Sequence, residues 1–373
     1  MNRRLLVLAG GGHSHALLLR RWWMQPRLRP AETAVVLVSR GSTALYSGMV
    51  PGVVAGVYPR DAAAIDLRQL CRQAAVTFIQ AEIIGLDPSA AELQLGDRPP
   101  LRYDRLSLDV GAVTPAPLHP AEQRVKPLEP LLSWLDQRQP GQVLRIRGGG
   151  AAAVELALAL RARGFAPEIL LRGDGLHLGS AAANRRGVRL LQRAAIPVHR
   201  QVPDATPADL ACTGSRAPAW LAASGLPVDP ATGRVLTEPC LQVRGHPTVF
   251  ASGDCALIAA APRPASGVWA VRAAPVLAVN LRRSLEAPDR ALQAWRPQAW
   301  ALQLLATAEQ PAPRALGLYG PLVVGPFRWL WRWKHRIDGR FMAGFAPSPG
   351  AMGEAATTAA MACRGCAAKL ASA

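Results

Sequence analysis

Leu5-Leu6-Val7-Leu8-Ala9-Gly10-Gly11-Gly12-His13-Ser14-His15 decides how the first part of the chain is read, and Val143-Leu144-Arg145-Ile146-Arg147-Gly148-Gly149-Gly150-Ala151-Ala152-Ala153 repeats its plan 138 residues later. Each is a short apolar run that enters a glycine turn and leaves it as a helix. A strand feeding such a turn brings backbone N–H groups and a helix N-terminus up to a pyrophosphate that any Cβ would hold off. Two turns so placed predict two dinucleotide sites in one chain.

Working outward, Leu5–Ala9, His13–Trp23 and Ala34–Ser39 predict a strand, a helix and a second strand, which is one βαβ unit. A second unit is predicted from Val143–Ile146, Ala151–Arg163 and Glu168–Leu171, with Gly164 as the helix stop. Between them the pattern predicts a helix around Ile65–Gln73, a strand at Val76–Gln80, a hairpin from Ile83 to Leu101 and a strand at Leu106–Asp109. Pro115, Pro117, Pro120, Pro127 and Pro130 mark a linker. Beyond the second unit come a strand at Val235–Leu236, the run Thr248-Val249-Phe250-Ala251-Ser252-Gly253-Asp254 and a helix from Val268 to Leu285. The fold class expected is α/β, with two Rossmann-like three-layer domains and a small C-terminal region.

The chain has 43 Lys+Arg against 25 Asp+Glu, a formal net charge of +18, and nearly all the cations are arginine. A base-composition bias that places arginine on solvated surface accounts for most of this excess, because no long basic run interleaves with aromatics as a nucleic-acid groove requires. Nucleic acid is therefore not an expected partner. The local exception is Arg328-Trp329-Leu330-Trp331-Arg332-Trp333-Lys334-His335-Arg336, where cations flank aromatics as in a segment resting on an anionic membrane; the same pattern also fills ordinary domain seams. No apolar run reaches bilayer length, since Leu316–Trp333 is broken by Gly320-Pro321 and Gly325-Pro326. Leu5–Ala9 is too short for a signal peptide core and leads straight into the glycine turn, so a cytoplasmic protein is expected, with at most a peripheral contact at the inner membrane face. Six scattered cysteines fit a reducing compartment.

Gly10-x-Gly12-x-x-His15 meets the dinucleotide fingerprint at two positions and departs at the third, where a small residue usually sits. The second strand ends in Ser39-Arg40 instead of the acidic residue that binds ribose hydroxyls, leaving Ser39 a weaker acceptor. His13 and His15 have no carboxylate or cysteine partner close by, so packing beside the loop is expected in place of a metal. Gly148-x-Gly150-x-x-Ala153 keeps the small third residue. Its strand runs on to Arg172, a residue suited to a 2′-phosphate and hence NADPH, although an ordinary surface arginine is an equal reading.

Thr248–Asp254 closely resembles the Gly-Asp strand of the FAD-dependent pyridine nucleotide-disulfide oxidoreductases. Tyr103–Gly111 is similar to that family's strand returning towards the flavin, and Cys212-Thr213-Gly214 stands at the matching place in the nicotinamide domain. The resemblance covers nearly all of residues 1 to 290. Tyr46-Ser47-Gly48-Met49-x-Pro51-Gly52 and Arg336-Ile337-Asp338-x-Arg340-Phe341-Met342 resemble the type II NADH dehydrogenase-like branch, in particular the flavoprotein module fused N-terminally to selenide, water dikinase. Cys366-x-x-Lys369 is similar to the start of that kinase, whose remaining domain the sequence does not contain; Cys363-x-x-Cys366 lacks a second pair for zinc.

The resemblance implies FAD held by Gly10, Gly12, His13, His15, Ser39, Gly111, Gly253 and Asp254, and NADH or NADPH held by Gly148, Gly150, Ala153, Arg172 and Gly214. It implies a flavin domain of residues 1–118 and 235–288, a nicotinamide domain of 119–234, a C-terminal region of 289–346 and a small-residue tail of 347–373. Glu155 stands where the family carries a glutamate near the nicotinamide, and Pro51 and Trp269 where it approaches the flavin ring. Hydride would pass from nicotinamide to flavin to a small-molecule acceptor. No cysteine pair lies near Ala44–Met49, which speaks against a protein disulfide as acceptor. Arg272 and Ala273 replace the paired glutamines of quinone-reducing relatives, so quinone reduction is in doubt and Arg272 is a candidate to balance charge on reduced flavin. Three readings stand: an NAD(P)H oxidoreductase linked to selenium metabolism; a flavin-bearing scaffold of a fused or associated selenide kinase; and a membrane-peripheral quinone reductase. A homodimer is compatible with each.

Overall fold

The structure, a computed structural model, describes residues 4–307, 309 and 312–346. Strand β1 (Arg4–Ala9) lies in the interior of an eight-stranded sheet, third from one edge, and Leu6, Val7, Leu8 and Ala9 are fully buried because helices or further sheet cover both faces. Helix α1 (His13–Met24) returns the chain to β2 (Thr33–Ser39), which pairs parallel with β1. On the other side β3 (Arg105–Leu108) also pairs parallel with β1. The second sheet is built on β4 (Val143–Arg147), followed by α2 (Ala151–Ala162) and β5 (Ala166–Leu170), and its five strands all run parallel. The chain then re-enters the first sheet at Val235–Thr237, lays β6 (His246–Ala251) parallel beside β3, and covers the sheet with α3 (Gly267–Glu286).

Both expected βαβ units are thus present, with boundaries displaced by a residue or two. Two expectations need correction. The proline-marked stretch contains a short strand, Gln123–Arg124, and a helix, Leu128–Asp136, for which Pro127 is the N-cap; proline costs little there because the first N–H groups of a helix have no partner to lose. The hairpin after Ile83 is a three-stranded antiparallel sheet, since Leu101–Arg102 adds to Glu92–Leu95.

The C-terminal part forms an antiparallel sheet of Gln303–Ala306, Ala315–Tyr319 and Leu322–Phe327 that feeds helix α4 (Arg328–Ala343). Leu305, Leu316 and Leu318 of this sheet share one core with Leu156 and Leu160 of α2. That packing brings α4 down over the junction of the two large sheets.

Candidate dinucleotide sites

The glycine turn after β1 opens on a cavity of about 650 Å³. Gly10 has φ +97°, and a Cβ there would lie 2.4 Å from the Asp109 carbonyl oxygen, so only glycine fits. Asp109, at the end of β3, organises the turn. Its carbonyl accepts from Gly12 N–H at 3.1 Å, and its carboxylate Oδ2 accepts from the Ser14 and His15 N–H groups at 2.8 and 3.1 Å. The carboxylate caps α1 from a distant strand, and burial pushes its pKa up to about 7 despite those bonds.

His15 explains the departure at the third fingerprint position. Its Nδ1 bonds the Gly10 carbonyl at 2.7 Å and its Nε2 meets Ser107 Oγ at 2.8 Å, filling the gap a glycine would leave between helix and strand. A carbonyl only accepts, so Nδ1 carries the proton and Nε2 accepts from the serine. Burial lowers the ring's pKa to about 4, keeping it neutral. His15 is a strut behind the turn and does not reach the cavity wall, which corrects its expected role as a cofactor contact. His13 does line the cavity, held neutral mainly by burial, with Nε2 buried and unpartnered.

Gly10, Gly12, Ser39, Gly111, Gly253 and Asp254 all lie on this wall. Asp254 Oδ2 is paired with Lys126 Nζ at 2.8 Å, whereas Oδ1 is buried and has no partner. At the Ser39 end, where the sequence lacks an acid, Glu82 supplies one from the loop after Thr77–Gln80, 3.8 Å from Arg40. The site fits FAD: the glycine turn leaves room for the pyrophosphate beside the Gly11 and His13 N–H groups, and Asp254 Oδ1 is an orphaned buried acceptor for a hydroxyl group.

The second turn repeats the backbone geometry. Gly148 has φ +144°, and a Cβ there would lie 2.3 Å from the Cys212 carbonyl, as Gly10 does against Asp109. Gly150 caps α2 with no side-chain bond and open space around it, Ala153 is fully buried against the sheet, and Gly214 has φ +113°. Arg172 is exposed just past the end of β5. The loop it begins folds against the turn, with His177 N–H bonded to the Gly149 carbonyl at 2.8 Å.

Under α4, Lys334 Nζ bonds Asp338 Oδ2 at 2.7 Å and the Gly48 carbonyl at 2.5 Å, and Tyr46 OH donates to Asp338 Oδ1 at 3.1 Å. Glu155 belongs to this cluster. Its Oε1 accepts from Ala306 N–H at 3.0 Å; burial raises its pKa and nearby Lys334 opposes the rise. Two expected catalytic contacts are displaced. Arg272 points to solvent, because the buried face of α3 is set by Trp269, Ala270, Ala273 and Ala274. Pro51 lies in the short helix Val50–Val54, packed towards α2, while Leu45 and Ser47 take the cavity wall. Asp109, Lys126, Glu82 and Asp338 were not expected as site residues. Cys363, Cys366 and Lys369 lie outside the described residues.

Two nucleotide-binding βαβ halves meeting beside a cavity, each closed by the end of a returning strand, define a two-dinucleotide oxidoreductase of the α/β class. Residues 10–274 match the family model for pyridine nucleotide-disulphide oxidoreductase, and the chain belongs to that family. Members of that family are FAD-dependent NAD(P)H oxidoreductases. Its fold is similar to sulfide:quinone oxidoreductase from the hyperthermophilic bacterium Aquifex aeolicus, with TM-score 0.70 and 17% identity over 92% of this chain and 93% of that one. Putidaredoxin reductase in its covalent complex with putidaredoxin gives TM-score 0.68 and 18% identity over 86% of this chain and 82% of that one. Ferroptosis suppressor protein 1 of Taeniopygia guttata is 24% identical over 220 residues, and the match spans 48% of this chain and 57% of that relative.

Proposed function

We propose that the chain takes hydride from NAD(P)H bound at the Gly148 turn and delivers its electrons to a small-molecule acceptor through FAD held in the cavity at the Gly10 turn. The observation that carries this is the matched pair of turns, each approached by the carbonyl of a residue at the end of a returning strand so closely that only glycine fits, Asp109 at Gly10 and Cys212 at Gly148. FAD supplies the redox chemistry. The chain's own groups position and insulate it. The Gly10–Gly12 turn receives the pyrophosphate beside the Gly11 and His13 N–H groups at the start of α1, Asp254 offers an acceptor to hydroxyl groups, His13 lines the cavity, and Gly253 leaves room for the Asp109 carboxylate behind the wall. At the second turn Gly150 and Gly214 leave room for the nicotinamide nucleotide, Ala153 lets the helix pack closely on the sheet behind it, and Arg172 stands at the ribose end. Glu155, tied to Ala306 and facing Lys334, holds a proton-exchanging group beside the junction where the two nucleotides would meet.

The division into a flavin domain of 1–118 with 235–288 and a nicotinamide domain of 119–234 follows from this reading, as does the type II NADH dehydrogenase-like branch. The link to selenium metabolism rests on the sequence resemblance alone. A neighbour with putidaredoxin as its partner and another named for quinone reduction mark two further acceptor classes.

A separate observation favours placement at a membrane surface. Trp329, Trp333 and Ile337 are exposed along one face of α4, beside Phe327 and among exposed Arg328, Arg332 and Arg336, while Asp338, the helix's single acid, is buried. Aromatic residues at the interface with arginines around them suit an anionic bilayer. Among the described residues no helix is long and apolar enough to cross one.

The test is the visible spectrum of the purified protein under anaerobic conditions before and after NADH or NADPH. Bleaching of a flavin band by either nucleotide is the expected result. A flavin that neither reduces removes the hydride-transfer reading in favour of a scaffold.

A further inference from the structure

Only three of the 43 basic side chains are lysines: Lys126, Lys334 and Lys369. Everywhere else arginine has been used. The two within the described residues both make short bonds to carboxylates at the junction of the sheets, Lys126 to Asp254 at 2.8 Å and Lys334 to Asp338 at 2.7 Å. A chain so biased towards arginine keeps lysine where a planar fork does not fit and a compact point charge does.

Lys126 is anchored on both sides of a seam. Its N–H donates to Thr114 Oγ1 at 2.9 Å and its carbonyl accepts from Thr114 N–H at 3.2 Å. The preceding residue extends the edge strand Gln123–Arg124 of the second sheet, since Val125 N–H donates to the Ala211 carbonyl at 3.1 Å. Its ammonium nevertheless reaches the first sheet, where Asp254 follows β6. On the cavity wall, one donor of Nζ is used on Asp254, and among the described residues the other two have no protein acceptor. Asp254 Oδ1 is the complementary group, a buried acceptor with no donor. Side by side, these leave a buried acceptor without a donor next to an ammonium that still has donors to offer.

We propose that Lys126 is a cofactor-positioning residue, which pins Asp254 through Oδ2 so that Oδ1 faces the hydroxyl chain of FAD, and which thereby fastens the nicotinamide-side sheet to the flavin-side sheet through the bound cofactor. The inference rests on the reading that this cavity holds FAD. Removing the ammonium frees the carboxylate to turn, so the loss is felt at the cofactor through Asp254.

The experiment uses the purified chain, stripped of flavin and titrated with FAD, for wild type, Lys126→Met, Asp254→Asn and the double variant, with Lys126→Gln as a polar replacement should the methionine misfold. Lys126→Met is expected to raise the FAD dissociation constant about tenfold, the size of one hydrogen bond to a charged group. The double variant is expected to bind no more than twofold worse than Asp254→Asn alone, because both changes remove one interaction. At saturating FAD, Lys126→Met alters the visible circular dichroism of the bound flavin, which a role in packing alone would leave untouched. Wild-type affinity in both lysine variants overturns the inference, and so does a double variant that loses the product of the single effects. If the wild-type chain binds no FAD, the assignment of this cavity fails and the inference falls with it; normal binding by Asp254→Asn overturns the inference alone, and normal binding confined to the lysine variants leaves the cavity assignment standing.

Discussion

The two glycine turns share a backbone and differ in how their helices begin. At the first, a carboxylate from β3 already occupies the start of α1, with Asp109 Oδ2 on the N–H groups of Ser14 and His15, and a bonded histidine fills the third fingerprint position. At the second, α2 starts at Gly150 with no side-chain cap, and Ala153 merely packs. Four N–H groups at a helix start attract an anion, and capping some of them internally lowers that pull while holding the helix in place without ligand. The first turn is thus organised from within, as suits a resident cofactor. The second leaves its donors to whatever arrives, as suits a nucleotide that comes and goes.

Alanine at equivalent positions separates the two most sharply. A Cβ on Gly12 would meet the Asp109 carboxylate at 2.3 Å, while a Cβ on Gly150 meets nothing within 4 Å. Gly12→Ala is therefore expected to destabilise the protein by about 1–3 kcal/mol through overpacking and to yield flavin-free material. Gly150→Ala is expected to fold and keep its flavin, with Tm changed by no more than about 2 °C, yet to be reduced by NAD(P)H at least tenfold more slowly. Flavin content, thermal melts and stopped-flow bleaching of both variants check this; equal melts would dissolve the distinction.

His15→Ala tests the same wiring with a somewhat smaller spread of consequences. Removing the ring leaves a void and strands the Gly10 carbonyl and Ser107 hydroxyl, at a cost of about 2–4 kcal/mol in urea unfolding of the apoprotein. Ala153, in the corresponding place, carries no such bonds, so Ala153→Gly is expected to cost only about 1 kcal/mol, the helix-propensity difference.

Asp109 gives the comparison a pH dependence. Its carboxyl has an ordinary value of 3.8 and is pushed up to about 7 in the fold. A raised carboxyl favours the folded state when protonated, so its contribution is complete below about pH 4 and is lost as pH rises through 7. Asp109→Asn can still accept the Ser14 and His15 N–H groups while removing the titration. The apoprotein variant is expected to show a flatter profile of unfolding free energy between pH 4 and 8 than wild type; parallel profiles would place the titration elsewhere.

What the sequence revealed and concealed follows from range. Both turns, Asp254 and the βαβ order were legible because each is a local pattern, a strand, a turn and a helix start within a dozen residues. His15 looked like a defect and is a substitute, since its partners Gly10 and Ser107 lie on either side of a strand pair that only folding assembles. Arg272 was misplaced by the angular step of a single helix residue, with Ala273 the inward neighbour. Lys126 and Glu82 act across sheets from loops that no local spacing announces, and Asp338, marked only by the resemblance of its segment to the family, acts from the far end of the chain. The scarcity of lysine was the one signal in the sequence that pointed to Lys126 and Lys334.

The smallest effect concerns Arg172, which stands at the open turn and has no counterpart at the closed one, where Glu82 and Arg40 oppose each other across the cavity's end. An exposed side chain beyond β5 contributes little to folding, so Arg172→Ala is expected to change stability by less than about 0.5 kcal/mol. Its loop is nevertheless pinned to the glycine turn by His177 and Gly149, which fixes where the guanidinium begins. A 2′-phosphate bound there makes charge-assisted bonds that a 2′-hydroxyl cannot match. The ratio of kcat/KM for NADPH over NADH is expected to fall about tenfold in Arg172→Ala, one such bond's worth, measured as flavin reduction at low nucleotide concentration. An unchanged ratio would leave Arg172 as one more surface arginine and make the second turn indifferent to the phosphate, a more open site still than its backbone implies.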